Sequence, residues 1–113
     1  MRANLQAVLS VPALRPEPEQ MIDKARRAAD FLKALAHENR LMILCILSQG
    51  EKSVSQLEQM LALRQPTVSQ QLARLRAEGL VATRRDGKAI HYSLASEEAR
   101  VVVGAVYDMF CGK

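Results

Sequence analysis

With 113 residues, 49% of them apolar, and a formal net charge of +4, the chain is sized for one domain with a modest core. It has no Trp and only two Tyr and two Phe, so it is poorly supplied with platforms for stacking unpaired bases; duplex DNA suits it better. Two cysteines are too few for a secreted disulfide framework, the opening residues make a poor signal peptide, and the longest apolar run, residues 41–47, is far short of a membrane span. A soluble, cytoplasmic protein with no membrane partner is expected.

Residues 1–19 hold Pro12, Pro16 and Pro18 and are expected to be a mobile arm, with a short apolar helix near Leu5 to Leu9 at most. Residues 20–113 then form the domain. From Glu19 the pattern turns helical. Ile22, Ala25, Ala29, Leu32 and Ala36 recur at steps of three and four, with Ala28 and Leu35 beside them. Lys24, Arg26, Arg27, Asp30 and Lys33 cover the other face. The stripe breaks at residues 37–40, and residues 41–47 form a second helix, apolar all round and so central to the core. Gly50 suits the left-handed residue after a helix end.

Ser53 and Gln56 stand at the spacing of a capping box, starting a third helix with Val54, Leu57, Met60 and Leu61 inward. Residues 63–66 make a tight corner, and Pro66 fits the first turn of a fourth helix because a proline there loses no hydrogen bond. That helix runs to about Ala77 with Val68, Leu72 and Leu75 on its inner stripe, and Glu78 and Gly79 end it. Asp86-Gly87 between residues 80–85 and 88–94 signals a β-hairpin. Pairing across that turn sets Val81 opposite Tyr92 and Thr83 opposite Ile90. Ser96 caps a last helix, Glu97 and Glu98 favour its positive end, and apolar residues run from Val101 through Val106, Tyr107 and Phe110. Met21, Met42, Met60 and Met109 read as core or interface filler. The class is mostly α with a two-stranded β-hairpin, in the order of a winged helix-turn-helix.

The fourth helix turns Gln65, Thr67, Ser69, Gln70, Gln71, Arg74 and Arg76 away from its apolar stripe. Amides and hydroxyls at the front of such a helix are what base edges in a major groove require. Arg64 adds charge where the helix N-terminus already favours a phosphate. Arg84, Arg85 and Lys88 put three cations around the hairpin turn, where a minor groove or its flanking phosphates could take them. A polar helix face is ordinarily just solvated, and a basic turn ordinarily aids solubility. The two together, in winged-helix order, favour a DNA interface. No Ser/His/Asp or Cys/His arrangement and no phosphate-cradling Gly loop is present, so neither catalysis nor a cofactor is expected. His37 reads as a capping or surface group and His91 as an outward residue of the wing; they do not make a metal site.

Residues 35–44 (LAHENRLMIL), the stretch QPTVSQQL from Gln65 on to Leu75, Gly79-Leu80-Val81, and the wing ending Tyr92-Ser93-Leu94 resemble the ArsR/SmtB family of winged-helix repressors over about residues 20–111. The resemblance implies a homodimer, joined through the first and last helices, that leaves its operator when an inducer binds. Arg64 departs from the family, which often has Ser there; the side-chain cap is given up for a charge that can meet a phosphate. Where many members carry cysteine ligands on the third helix, this chain has residues 51–57 (EKSVSQL), without a thiol, and residues 96–113 hold no His for the last-helix metal site. Both metal sites are absent by sequence.

Cys45 and Cys111 remain, in the second helix and at the end of the last. Their placement resembles the persulfide-responsive BigR/SqrR branch, which implies a disulfide or polysulfide bridge formed by reactive sulfur species as inducer. Taken alone, Cys45 is a small core residue and Cys111 a tail thiol. Two further readings stay open: thiolates that capture a soft ligand such as trivalent arsenic, copper(I) or haem, and a winged helix that binds protein instead of DNA.

Overall fold

A computed structural model describes residues 17–112. The expected short helix near Leu5 to Leu9, and most of the arm, lie outside the described residues. The elements run α1 (Pro18–Leu35), α2 (Glu38–Leu47), β1 (Lys52–Ser53), α3 (Val54–Leu61), α4 (Gln65–Ala77), β2 (Val81–Asp86), β3 (Ala89–Leu94) and α5 (Glu97–Phe110). The winged helix-turn-helix order expected from the sequence is present, with one strand more. The hairpin is joined by β1, which pairs antiparallel with β3 and gives a sheet of order β1-β3-β2.

Helix ends follow local chemistry. His37 accepts a hydrogen bond through Nδ1 from the Asn39 N–H at 3.1 Å and so caps α2, which starts at Glu38, earlier than the apolar run alone indicates. Ser53 and Gln56 form the full capping box: the Gln56 N–H donates to Ser53 Oγ at 3.2 Å, and the Ser53 N–H donates to Gln56 Oε1 at 2.8 Å. The Ala99 N–H donates to Ser96 Oγ, with Glu97 and Glu98 in the first turn of α5.

The corner of the helix-turn-helix lies at Ala62, Leu63 and Arg64, not at 63–66. Ala62 ends α3 in the left-handed conformation, with φ +55° and ψ +39°. A side chain with a Cβ costs about 1–2 kcal/mol there. Replacing it with Gly adds only about 0.5–1 kcal/mol of unfolded-chain entropy. Ala62→Gly is therefore expected to raise the urea midpoint slightly, by under about 1 kcal/mol of unfolding free energy. A fall in the midpoint would contradict this balance.

The core gathers Ile43, Leu44 and Leu47 of α2, Leu57 of α3, Val68, Leu72 and Leu75 of α4, Leu80 and Val81, and Ala99 and Val103 of α5. The apolar α2 is indeed central, since it packs on both α4 and α5. Met60 departs from expectation: it is exposed, as are Met21, Met42 and Met109. Of α1 only Ala34 and Leu35, in its last turn, are buried. Ile22 and Leu32 of the predicted stripe are over half exposed, at 56% and 53%. The radius of gyration, 15.6 Å, exceeds the ~13 Å of a compact chain this size, because α1 reaches past the core.

The hairpin register differs from the one expected. Val81 pairs with Leu94, Thr83 with Tyr92, and Arg85 with Ile90. Of the two loop residues, Gly87 and Lys88, only Gly87 has positive φ, +64°. Gly in the first loop position is the mark of a type II′ turn, whereas an Asp86-Gly87 loop of type I′ would force Asp into the left-handed region as well. The pairing slips by two residues, so every side chain keeps its expected face.

Candidate nucleic-acid interface and cysteine pair

The recognition unit is built by α3, the corner and α4. Arg64 is the N-cap of α4, in extended conformation and with no side-chain hydrogen bond to the helix end. The first N–H groups of α4 therefore lack a side-chain acceptor from the cap residue, and an anion at the exposed Arg64 would meet both them and a full charge. Val68, Leu72 and Leu75 are fully buried, which fixes the roll of the helix. Turning about 100° per residue, Gln70 then lies opposite the buried stripe. Gln65, Ser69, Gln70 and Arg74 are exposed, and Thr67 is half-buried. Arg74 makes an exposed ion pair with Glu78 at 3.5 Å, an interaction weak enough to exchange for a phosphate.

Gln71 stands apart from that group. It is half-buried, and its Oε1 accepts from Arg40 Nη1 at 2.9 Å. Arg40 also donates from Nε to the Ala34 carbonyl at 2.6 Å and from Nη2 to the Lys33 carbonyl at 3.2 Å. Burial, then the charge of Arg74, push the Arg40 guanidinium pKa down from its usual value. No spacing in the sequence marks Arg40, whose partner lies 31 residues away.

The three wing cations are also divided. Arg84 and Arg85 point to opposite faces of β2, as neighbours on a strand must. Arg84 is clamped by Glu51, with Nη2 to Oε1 at 2.6 Å and Nε to Oε2 at 3.1 Å, and Asp86 lies 4.0 Å from its Nη1. The Arg84 hydrogen bond holds the Glu51 carboxyl below its usual range, and Glu51 in turn raises Arg84. Arg85 and Lys88 are exposed at the turn and form no ion pair among the described residues. Half-buried His91 lies opposite Arg84 on one side and Ser53 on the other.

Cys45 is half-buried in α2, and Cys111 is exposed at the C-cap of α5; both are free thiols. Burial pushes the Cys45 thiol pKa up, and Cys111, close enough to be felt electrostatically, pushes it further. One turn before Cys111, the Asp108 Oδ2 is shielded from solvent without a hydrogen-bond partner. Among the described residues no three His, Cys, Asp or Glu side chains gather to hold a metal ion, and no helix is long and apolar enough to cross a membrane.

Residues 37–83, from the α2 cap into the wing, match the model of the bacterial regulatory protein, arsR family. The chain is 50% identical over 91 residues to the biofilm growth-associated repressor of Agrobacterium fabrum, covering 80% of this chain and 78% of that one. It superposes on the crystal structure of the transcriptional repressor BigR from Xylella fastidiosa with a TM-score of 0.75 at 46% identity, over 84% of this chain and 94% of BigR. Reduced HlyU from Vibrio cholerae gives a TM-score of 0.79 at 39% identity, over 82% and 98% of the two chains. A winged helix with this recognition unit and these similarities belongs to the ArsR family of bacterial regulatory proteins.

Proposed function

We propose that the chain is a homodimeric, sequence-specific repressor that binds operator DNA and releases it when Cys45 and Cys111 are joined by reactive sulfur. The observation that carries the DNA reading is α4 itself: a helix with no side-chain cap, Ser69, Gln70 and Arg74 turned outward, and a basic wing turn beyond it. Gln70 is free to pair with an adenine edge, Ser69 with several bases, and Arg64, Arg85 and Lys88 with phosphates. Arg84 is reserved to Glu51 until a stronger anion displaces it.

Dimerisation is supported by apolar side chains left without cover. Ile22 and Leu32 on α1, and Val101, Tyr107, Met109 and Phe110 on α5, are exposed, Phe110 at 82%. A second copy covering α1 and α5 would remove them from water.

The switch uses the unequal thiols. Exposed Cys111 attacks the outer sulfur of a persulfide, takes it, and expels the carrier thiolate. The Cys45 thiolate then attacks the sulfur of Cys111 and expels hydrosulfide. Two thiols and one persulfide thus yield one disulfide, one carrier thiol and hydrogen sulfide, with the persulfide as oxidant. A second persulfide would leave an extra sulfur in the bridge.

The test is a titration against a duplex selected from random sequence, over a range of salt, beside a random duplex. The parent is expected to prefer the selected duplex and to lose affinity steeply as salt rises. Replacing Arg85 and Lys88 with Ala should flatten the logarithmic slope by about 0.9 for each phosphate no longer neutralised. An unchanged slope would place the wing off the backbone, and no preference in the parent would favour a protein-binding winged helix. Reduced protein titrated with a soft ion tests the thiolate-ligand reading: stoichiometric binding that itself releases DNA would replace the sulfur switch.

A further inference from the structure

We propose that Arg40 is a positioning residue that ties the DNA-reading helix α4 to the C-terminal end of α1 and fixes which hydrogen bonds Gln71 can offer; this rests on the DNA reading above. The guanidinium divides its donors by edge. Nε and Nη2 meet the Ala34 and Lys33 carbonyls at 2.6 and 3.2 Å, and Nη1 meets Gln71 Oε1 at 2.9 Å. The two carbonyls belong to the last turn of α1, the negative end of that helix, where a cation is favoured. That accounts for a charge held in place despite partial burial and the like charge of Arg74.

The consequence for Gln71 is chemical. A guanidinium only donates, so the amide oxygen must face it, and the NH₂ must face away. Gln71 so held turns its NH₂ donors outward, toward an acceptor such as guanine N7 or O6. With one lone pair of its oxygen already engaged by Arg40, it loses much of its capacity for the donor-plus-acceptor pair that reads adenine. Gln70, whose amide is unconstrained among the described residues, keeps that capacity. Because α1 also carries the exposed Ile22 and Leu32, Arg40 gives a shift of α1 a hydrogen-bonded route to the reading helix, beside the packing of Ala34 and Leu35 in the core.

Lysine cannot serve both edges, since its ammonium is a single point on a flexible stem. Arg40→Lys is therefore expected to lower affinity for the selected duplex about fivefold to tenfold, and for a random duplex within about twofold. Gln71→Met, an exchange on the flank of α4 that removes the acceptor, should cause a similar loss with little change in thermal midpoint. The two together should lose scarcely more than either alone, because each breaks the same link. Additive losses, or equal losses on both duplexes, would overturn the link. Parental selectivity in both single variants would overturn this proposal alone. A parent with no selectivity would overturn the DNA reading and this proposal with it.

Discussion

Cys111→Ser is expected to bind operator DNA as the parent does and to keep it under persulfide. Cys45→Ser should also fail to release, and the chemistry left on each variant should differ. The exposed Cys111 is the accessible nucleophile, whereas the Cys45 pKa is raised first by burial, which persists without Cys111 and lowers its share of thiolate. Cys45→Ser should therefore gain one sulfur on Cys111 and stop there. Cys111→Ser should stay nearly unmodified. The loss of response corresponds to the coupling that the bridge supplies in the parent, about 1–3 kcal/mol, or roughly 5- to 150-fold in operator affinity. Cys45 sits in α2, which packs on α4 and α5 alike, and Cys111 ends α5. A bridge thus pulls on the reading helix and on the apolar α5 face at once. Quantitative release of DNA from either variant, matching the parent, would restore that cysteine to a packing or tail role.

Gln70→Ala carries the second large effect. Gln70 lies opposite the buried stripe of α4 and has no protein partner among the described residues, so its loss leaves the fold alone. A bidentate pairing with a base is worth about 1–3 kcal/mol against the wrong base. Operator affinity should fall by that amount for each half-site bound, while random DNA, which we propose is held by Arg64, Arg85 and Lys88, should be bound as before. Anisotropy titrations on both duplexes at one salt concentration read the difference. Equal losses on the two would make Gln70 a sequence-independent backbone contact and move specificity elsewhere on α4.

Much of this is legible in the residues, and the exceptions share a cause. Val68, Leu72 and Leu75 mark the inside of α4 by periodicity alone, and Ser53 with Gln56 marks the start of α3 by local hydrogen bonding. Lys52 and Ser53 as a strand are not legible, because two residues carry no alternation and the pairing is with β3, far along the chain. The hairpin lies two residues from its expected register, since both Asp86-Gly87 and Gly87-Lys88 are plausible loops and the cost of a left-handed Asp decides between them. The stripe of Ile22 and Leu32 is apolar as its spacing indicates, but this chain's own core does not cover it. Within the site, the residue types are visible and the pairings are not. Gln71 and Arg84 look as free as Gln70 and Arg85 until Arg40 and Glu51, 31 and 33 residues away, are placed against them.

A covalent link between Cys45 and Cys111 as the setter of operator affinity is reached most directly by one paired measurement. Operator binding and intact-mass spectra are recorded on the same samples: reduced, persulfide-treated, and treated then returned to dithiothreitol. The expected result is a product that has lost two hydrogens, or has gained sulfur in a Cys45–Cys111 peptide pair, with affinity falling in step with its fraction and returning on reduction. A fully bridged protein that holds its operator as tightly as the reduced one would contradict the claim.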